Sequence, residues 1–319
     1  MNDGVVVVVL ASAVAYGTPL LFAALGELLA ERSGVLNLGV EGMMLVGAVS
    51  GFLCVQHVGG SAGVALPVAV AAAAVAGAAA ALVLAFLVIT LRANQIVSGL
   101  ALTILCGAAG ISSYLGNDFQ LADDPARFSF GQLDVLGLAD LPVVGPIVFG
   151  QTWLVYASWA CVVAVALYLG RTRPGLEVRA VGESPAAADA MGISVTRYRY
   201  LHTLAGGALA GVGGACFSLA LTPQWVDGLT AGAGWIAIAL VIFAFWRPDL
   251  CLVGAYAFGA FSALPLILQA RGVTVAPQVF QSLPYVMTIV VLVLVSTGSA
   301  RRRLGAPAAL GTPYVREER

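Results

Sequence analysis

Few side chains in this 319-residue chain can do polar chemistry, and they fall into clusters. Glu27 and Glu31 stand four residues apart, hence on one face of a helix, with Arg32 beside them to neutralise one charge. Asn37 and Glu41 repeat that spacing in a stretch punctuated by Gly34, Gly39, Gly42, Gly47 and Gly51. Ionisable groups inside a membrane segment are costly and mark functional positions by default. Two readings stand for this pair. In one, a discontinuous, glycine-rich helix turns Asn37 and Glu41 towards a transport pathway. In the other, Glu41 sits near an interface and hydrogen-bonds neighbouring backbone. Asn94, Gln95, Ser98 and Thr103 polarise the start of a further segment. They line a pore, or they cap a helix and fasten it to a neighbour.

Other chemistries are poorly supplied. The chain has no lysine, which excludes a P-loop lysine, a Schiff-base lysine and a lysine general base. His57 and His202 are far apart and match no metal-ligand spacing. Cys54, Cys106, Cys161, Cys216 and Cys251 are scattered singly in apolar segments and read as small buried hydrophobes. An enzyme is not expected, nor a metal or a cofactor on this chain.

The elements that must position these residues are membrane helices. Sixty per cent of residues are apolar and only 10% charged, against about 25% charged in soluble domains. The fold class expected is all-α and polytopic, with about nine apolar spans. They cover roughly 5–26, 36–57, 62–90, 95–116, 148–170, 198–221, 232–246, 250–270 and 278–298. The span at 232–246 is short, so it is tilted, extended or only partly crossing. Domain organisation follows: a transmembrane unit over 1–300, which includes a polar cytoplasmic segment over 171–197, and a C-terminal tail over 301–319. Gly207 and Gly211, and likewise Gly47 and Gly51, have the spacing of close helix contacts. Trp225 and Trp246 fit an aromatic belt at opposite interfaces. The acidic segment 117–147 is the longest loop and has room for a short amphipathic or re-entrant element.

The arginines orient the chain. Strict alternation puts Arg32, Arg92, Arg171, Arg173, Arg179, Arg197, Arg199, Arg247, Arg301, Arg302, Arg303, Arg316 and Arg319 on one side. Only Arg127 and Arg271 fall on the other. By the positive-inside rule the N-terminus is expected outside and the C-terminus in the cytoplasm.

Five of those arginines lie in a polar island, Arg171 to Tyr200. Pro174 and Gly175 are expected to break the helix that leaves the fifth span. Ser184 is an N-cap candidate, Pro185 suits the first helical position, and Gly192 stops a short helix between them. Such a helix, between two spans and flanked by arginines, has the form of a docking knob. The plainer reading is an inside loop made basic by the positive-inside rule.

The segments GELLAERSGVLNLGVEGMML, RANQIVSGLALT, RAVGESPAAADAMGI and GLTAGAGWIAIALVIFAFWRP occur in that order and cover much of the chain. Together they resemble the permease subunits of bacterial ABC importers, in the branched-chain amino acid, ribose and simple-sugar superfamily. Within it they resemble the nucleoside (guanosine) uptake branch. The resemblance implies a second, longer permease subunit, a cytoplasmic ATPase that binds the ATP, and an external substrate-binding lipoprotein. It implies a multi-pass protein of the bacterial plasma membrane, carrying purine nucleosides first and simple sugars next. It also implies that the coupling segment which seats on the ATPase includes Gly182, Glu183, Ser184, Ala187, Asp189 and Gly192. Candidate pathway residues are Asn37, Glu41, Asn94, Gln95 and Ser98. An ion-coupled secondary transporter is the rival from another class. It is disfavoured because spans three to nine hold no ionisable residue near mid-depth except His202, close to the inner end.

Overall fold

A computed structural model describes residues 3–269 apart from 108, 123, 124, 135 and 136, then 272, 282, 286, 289, 290, 293 and 305–316. The regular elements among the described residues are all helices, with no strand. In chain order the helices are α1 (Asp3–Arg32), α2 (Val40–His57), α3 (Ala62–Ala85), α4 (Gln95–Cys106) and α5 (Ile111–Asp118). Then come α6 (Trp153–Arg171), α7 (Arg173–Glu183), α8 (Pro185–Ala190), α9 (Val195–Cys216), α10 (Ala233–Phe243) and α11 (Pro248–Gln269). Seven stretches among the described residues are long and apolar enough to cross a membrane, and α10 is a shorter apolar helix.

Several boundaries differ from the sequence expectation. The first span continues to Arg32 instead of ending near residue 26, because Glu27 and Glu31 are buried against protein and do not need water. The second helix begins at Val40, after a non-helical loop over 33–39. The fourth span stops at Cys106 and resumes at Ile111. Before α6, residues Gly145–Phe149 form a π-helical turn. The span expected at 278–298 lies mostly outside the described residues.

The hub of the bundle is α9. It packs against α1, α2 and α3 through small residues that leave no room for side chains. A Cβ at Gly211 would lie 2.2 Å from the Ala73 carbonyl oxygen, and one at Gly47 2.4 Å from the Gly211 Cα. Association in a membrane rests on such backbone approach, since lipid removes the usual hydrophobic drive. Away from the hub, Val75 and Leu82 of α3, Ile104 of α4 and Val163 of α6 are exposed. An apolar outer surface of this kind suits lipid or a partner helix, not water.

Both tryptophans assigned above turn out to be interior. Trp225 is buried against Gly116, and Trp246 is buried with its indole N–H donated to Glu31 Oε2. The belt expectation for them is therefore corrected: each indole is held by protein and does not face lipid. The acidic loop lies over the end of the bundle away from Arg32. Ala126 N donates to Pro223 O at 2.9 Å and Phe130 N to Leu219 O at 3.0 Å, with Leu121 and Phe130 buried beneath.

Candidate functional site

Loop 33–39 interrupts helical structure at the join of α1 and α2. Gly34 makes the turn with φ +89°. Irregular backbone inside a membrane protein must find its hydrogen bonds within the protein, and the clustered polar residues supply them. Asn37 N donates to Glu27 Oε1 at 3.1 Å, and Gly39 N to Asn37 Oδ1 at 3.0 Å. Leu36 N donates to Gln95 Oε1 at 2.7 Å, and Thr103 Oγ1 to Leu38 O at 2.9 Å. Glu27, Asn37, Gln95 and Ser98 are buried within the single chain. Glu27 Oε2 and Gln95 Nε2 have no partner among the described residues.

Glu41 closes a second break. Its Oε1 accepts from Thr230 Oγ1 at 2.6 Å and from Gly232 N at 2.9 Å. Its Oε2 accepts from Gly234 N at 2.6 Å. Gly232 is the left-handed residue that precedes α10. The carboxylate thus fills the N-terminus of a short apolar helix, where unpaired N–H groups and the helix dipole favour an anion. Asn94 is exposed and caps α4, its Oδ1 accepting from Val97 N at 3.1 Å. Of the five pathway candidates, Asn37, Gln95 and Glu41 are joined through the loop and α2, whereas Asn94 sits at the outer edge of the group. A cavity of about 330 Å³ lies beside it, lined by Leu36, Arg92, Asn94, Gln95, Gly311 and Pro313.

The polar island folds as two helices where one was expected. The helix that leaves the fifth span does end here, at Arg171, but a new helix starts at once. Thr172 caps α7 by accepting from Gly175 N at 3.1 Å, and this puts Pro174 in the first turn, where its missing N–H costs nothing. Next comes α8 with the ends read from the sequence. Ser184 accepts from Ala187 N at 3.4 Å, and Pro185 is the first helical residue. At the far end Gly192 has φ +81°. Gly192 N donates to Asp189 O at 2.9 Å and Ile193 N to Ala188 O at 3.0 Å. This pair of bonds is the Schellman closure that a left-handed glycine permits. Val181, Ala188 and Val195 form a small buried cluster beneath, while Ala186, Ala187 and Ala190 face outward. On the outer side of α7, Glu177 accepts from Tyr198 and Arg173, and these bonds hold its carboxyl below the ordinary range.

Glu183 and Asp189 do not simply point outward. Glu183 Oε2 accepts from Ala308 N at 3.3 Å, and Asp189 Oδ2 lies 3.3 Å from Arg316 Nε. Arg199 was read only as one of the orienting arginines. It is 2% exposed and donates from Nη1 to Thr312 O at 3.0 Å. Its position on the buried face with Val195, His202, Thr203 and Gly206 was a visible signal. Among the described residues no group of three His, Cys, Asp or Glu could hold a metal ion.

An all-helical membrane bundle with a short capped helix at its arginine-bearing end and glycine-mediated internal contacts is the architecture of a transport permease. The chain belongs to the family described as branched-chain amino acid transport system / permease component, which matches residues 9–295. It is therefore the permease component of a transport system and not an enzyme. It is 41% identical to the "Putative glucose ABC transporter permease protein TsgC13" of Haloferax volcanii, over 94% of this chain and 95% of that one. The nucleoside ABC transporter permease protein NupC of Lactococcus lactis is 35% identical, over 98% of both chains. The guanosine ABC transporter permease protein NupQ of Bacillus subtilis is 33% identical, also over 98% of both. No solved structure matches the chain.

Proposed function

We propose that this chain is a pore-forming subunit of an ATP-driven importer for nucleosides or a related small polar solute. Its partners are a second permease subunit, a cytoplasmic ATPase and an external substrate-binding lipoprotein. The N-terminus faces outward, and the arginine-bearing end with the C-terminus faces the cytoplasm of a bacterial plasma membrane. The ATP is bound by the ATPase subunit. The observation that carries the reading is α8, a six-residue helix fixed at both ends whose outer alanines are free to enter a groove.

Coupling then divides among the residues of this segment. Ser184 and Gly192 fix the ends of α8, Ala187 presents its face, and Gly182, Glu183 and Asp189 hold it to the rest of the chain. ATP-driven closure of the ATPase displaces α8 and shifts the permease between outward- and inward-facing packings. Asn37, Glu41, Asn94, Gln95 and Ser98 surround the broken segments that border the pathway. Similarity to permeases named for nucleosides and guanosine supports a nucleoside. A simple sugar is the second reading, favoured by the higher identity to the glucose permease.

The test is purification from the native host through a tag on this chain, followed by uptake in reconstituted vesicles. Labelled guanosine and labelled glucose are each supplied with ATP, or with a proton gradient alone. ATP-dependent uptake of either solute, with an ATPase co-purifying, is expected. Uptake driven by the proton gradient without ATP would overturn the importer reading.

A further inference from the structure

The segment 305–316 reads in the sequence as a free tail, yet it is tied at every few residues. Gly305 O accepts from Arg32 Nη1 at 3.3 Å. Ala308 N reaches Glu183 Oε2, and Ala309 N donates to Gly182 O at 2.9 Å. Gly311 N donates to Gly34 O at 3.2 Å, and Thr312 O accepts from Arg199. Tyr314 packs against the Val181, Ala188 and Val195 cluster, and Arg316 pairs with Asp189. The segment is thus fixed to α7 at Ala308 and Ala309 and to α8 at Arg316, and between them to the turn of loop 33–39.

The anchoring is built for permanence at its middle. Arg199 is fully enclosed, and Thr312 O is its one hydrogen-bond acceptor among the described residues; Nε and Nη2 have none. A buried guanidinium stripped of its last acceptor is strongly unfavourable. Gly34 approaches closely: a Cβ there would lie 3.1 Å from Arg199 Nη2. Gly182 is equally confined, since a Cβ would lie 2.3 Å from Arg32 O and 3.2 Å from Pro307 Cβ.

From these contacts we propose that segment 305–316 is a strut of the coupling apparatus, linking α7 and α8 to loop 33–39 so that displacement of the coupling helix moves the pathway loop. This rests on the reading of α8 as the ATPase contact. Backbone hydrogen bonds join the strut to α7 and to loop 33–39, and the Arg316–Asp189 pair joins it to α8. The same contacts assign Glu183 and Asp189 to holding the strut.

The test uses the tagged transporter with its co-purified subunits, reconstituted in vesicles. ATP hydrolysis and uptake of guanosine or glucose, whichever is carried, are measured in parallel. Gly311→Pro removes the N–H that bonds Gly34 O and forbids the observed φ of +77°. It leaves the Gly182 and Glu183 anchors in place. Ending the chain after Leu304 removes the strut entirely, and should that chain fail to fold, Gly311→Pro decides. The expected result is an intact complex that hydrolyses ATP, with solute carried per ATP lowered at least tenfold. Unchanged transport per ATP in Gly311→Pro would overturn the strut. Loss of the ATPase from that variant would overturn it too, because the segment would then be a docking surface. Ala187→Arg separately tests the α8 reading, which fails if that variant still retains the ATPase and transports normally.

Discussion

Replacing Glu41 by glutamine separates a carboxylate that caps a helix from one that acts on a passing solute. In the native chain Oε1 receives Thr230 and Gly232, and Oε2 receives Gly234. Glutamine keeps one acceptor oxygen, which can serve the first two donors. Its NH₂ then faces the Gly234 N–H, donor against donor, in a site that is 7% exposed. One charge-assisted hydrogen bond is lost and one buried N–H is left unmet, at about 1–3 kcal/mol each. The favourable anion at the N-terminus of α10 goes as well, worth up to ~2 kcal/mol. Relaxation recovers part of this, so a net loss of about 3 kcal/mol is expected. For a chain of this size that lowers the melting temperature by roughly 4–5 °C. Glu41→Ala, which abandons all three donors, falls further. The assay is thermal unfolding of the purified protein in detergent, followed by the fraction that stays monodisperse, with uptake measured on the same preparations. If Glu41→Gln melts like the native chain while uptake collapses, the carboxylate acts on passage and the capping account is wrong.

Three further outcomes are expected. Gly211→Ala forces a methyl to within 2.2 Å of the Ala73 carbonyl and should cost about 1–3 kcal/mol in detergent melting. Gly170→Ala on α6, where the added methyl meets nothing within 4 Å, should be neutral or slightly stabilising, and equal effects at the two sites would refute the close-contact reading. Gly192→Ala must adopt a left-handed φ at a cost of about 1–2 kcal/mol. It should therefore fray α8 and weaken retention of the ATPase while global melting hardly changes, and Gly192→Asn should be milder. Thr172→Ala should loosen the start of α7 by about 1 kcal/mol, seen as faster amide exchange over residues 173–177, and Thr172→Ser should restore it.

Legibility in the sequence follows the range over which each feature is determined. The ends of α8 were readable because a capping hydroxyl, a first-turn proline and a left-handed glycine act within a few residues. At Pro174 the same local rule placed the end of α6 but missed α7, since the cap two residues upstream makes that proline a first-turn residue. Glu41 could be flagged as costly, but its partners lie 189 to 193 residues away, beyond any spacing rule. Trp246 looked like a belt residue because exposure depends on Glu31, 215 residues distant. The docking of 305–316 left little side-chain trace, because much of it is made by main-chain groups at Ala308, Ala309, Gly311 and Thr312.

A transport cycle needs two packings of nearly equal free energy, and the hub helix supplies contacts suited to that. Where α9 crosses α2 and α3, backbone lies on backbone at Gly47, Ala73, Gly77 and Gly211. No side chain interlocks there, so a small slide trades one set of backbone contacts for a similar one. The polar fixtures behave differently. Arg199, Glu31 and Glu41 each bind groups on one distant segment, and each would leave a buried polar atom unmet if it let go. Motion should therefore follow the glycine seams and spare the polar joints. Helix α9 carries both, with Arg199 near its first turn and Gly211 beyond its middle. The end held by the strut would move with α8, while the glycine-lined half lets the helix turn against its neighbours. This division predicts that bulk added at Gly211 and release of the strut impair the same transition by opposite routes. The first blocks movement, and the second disconnects it from ATP.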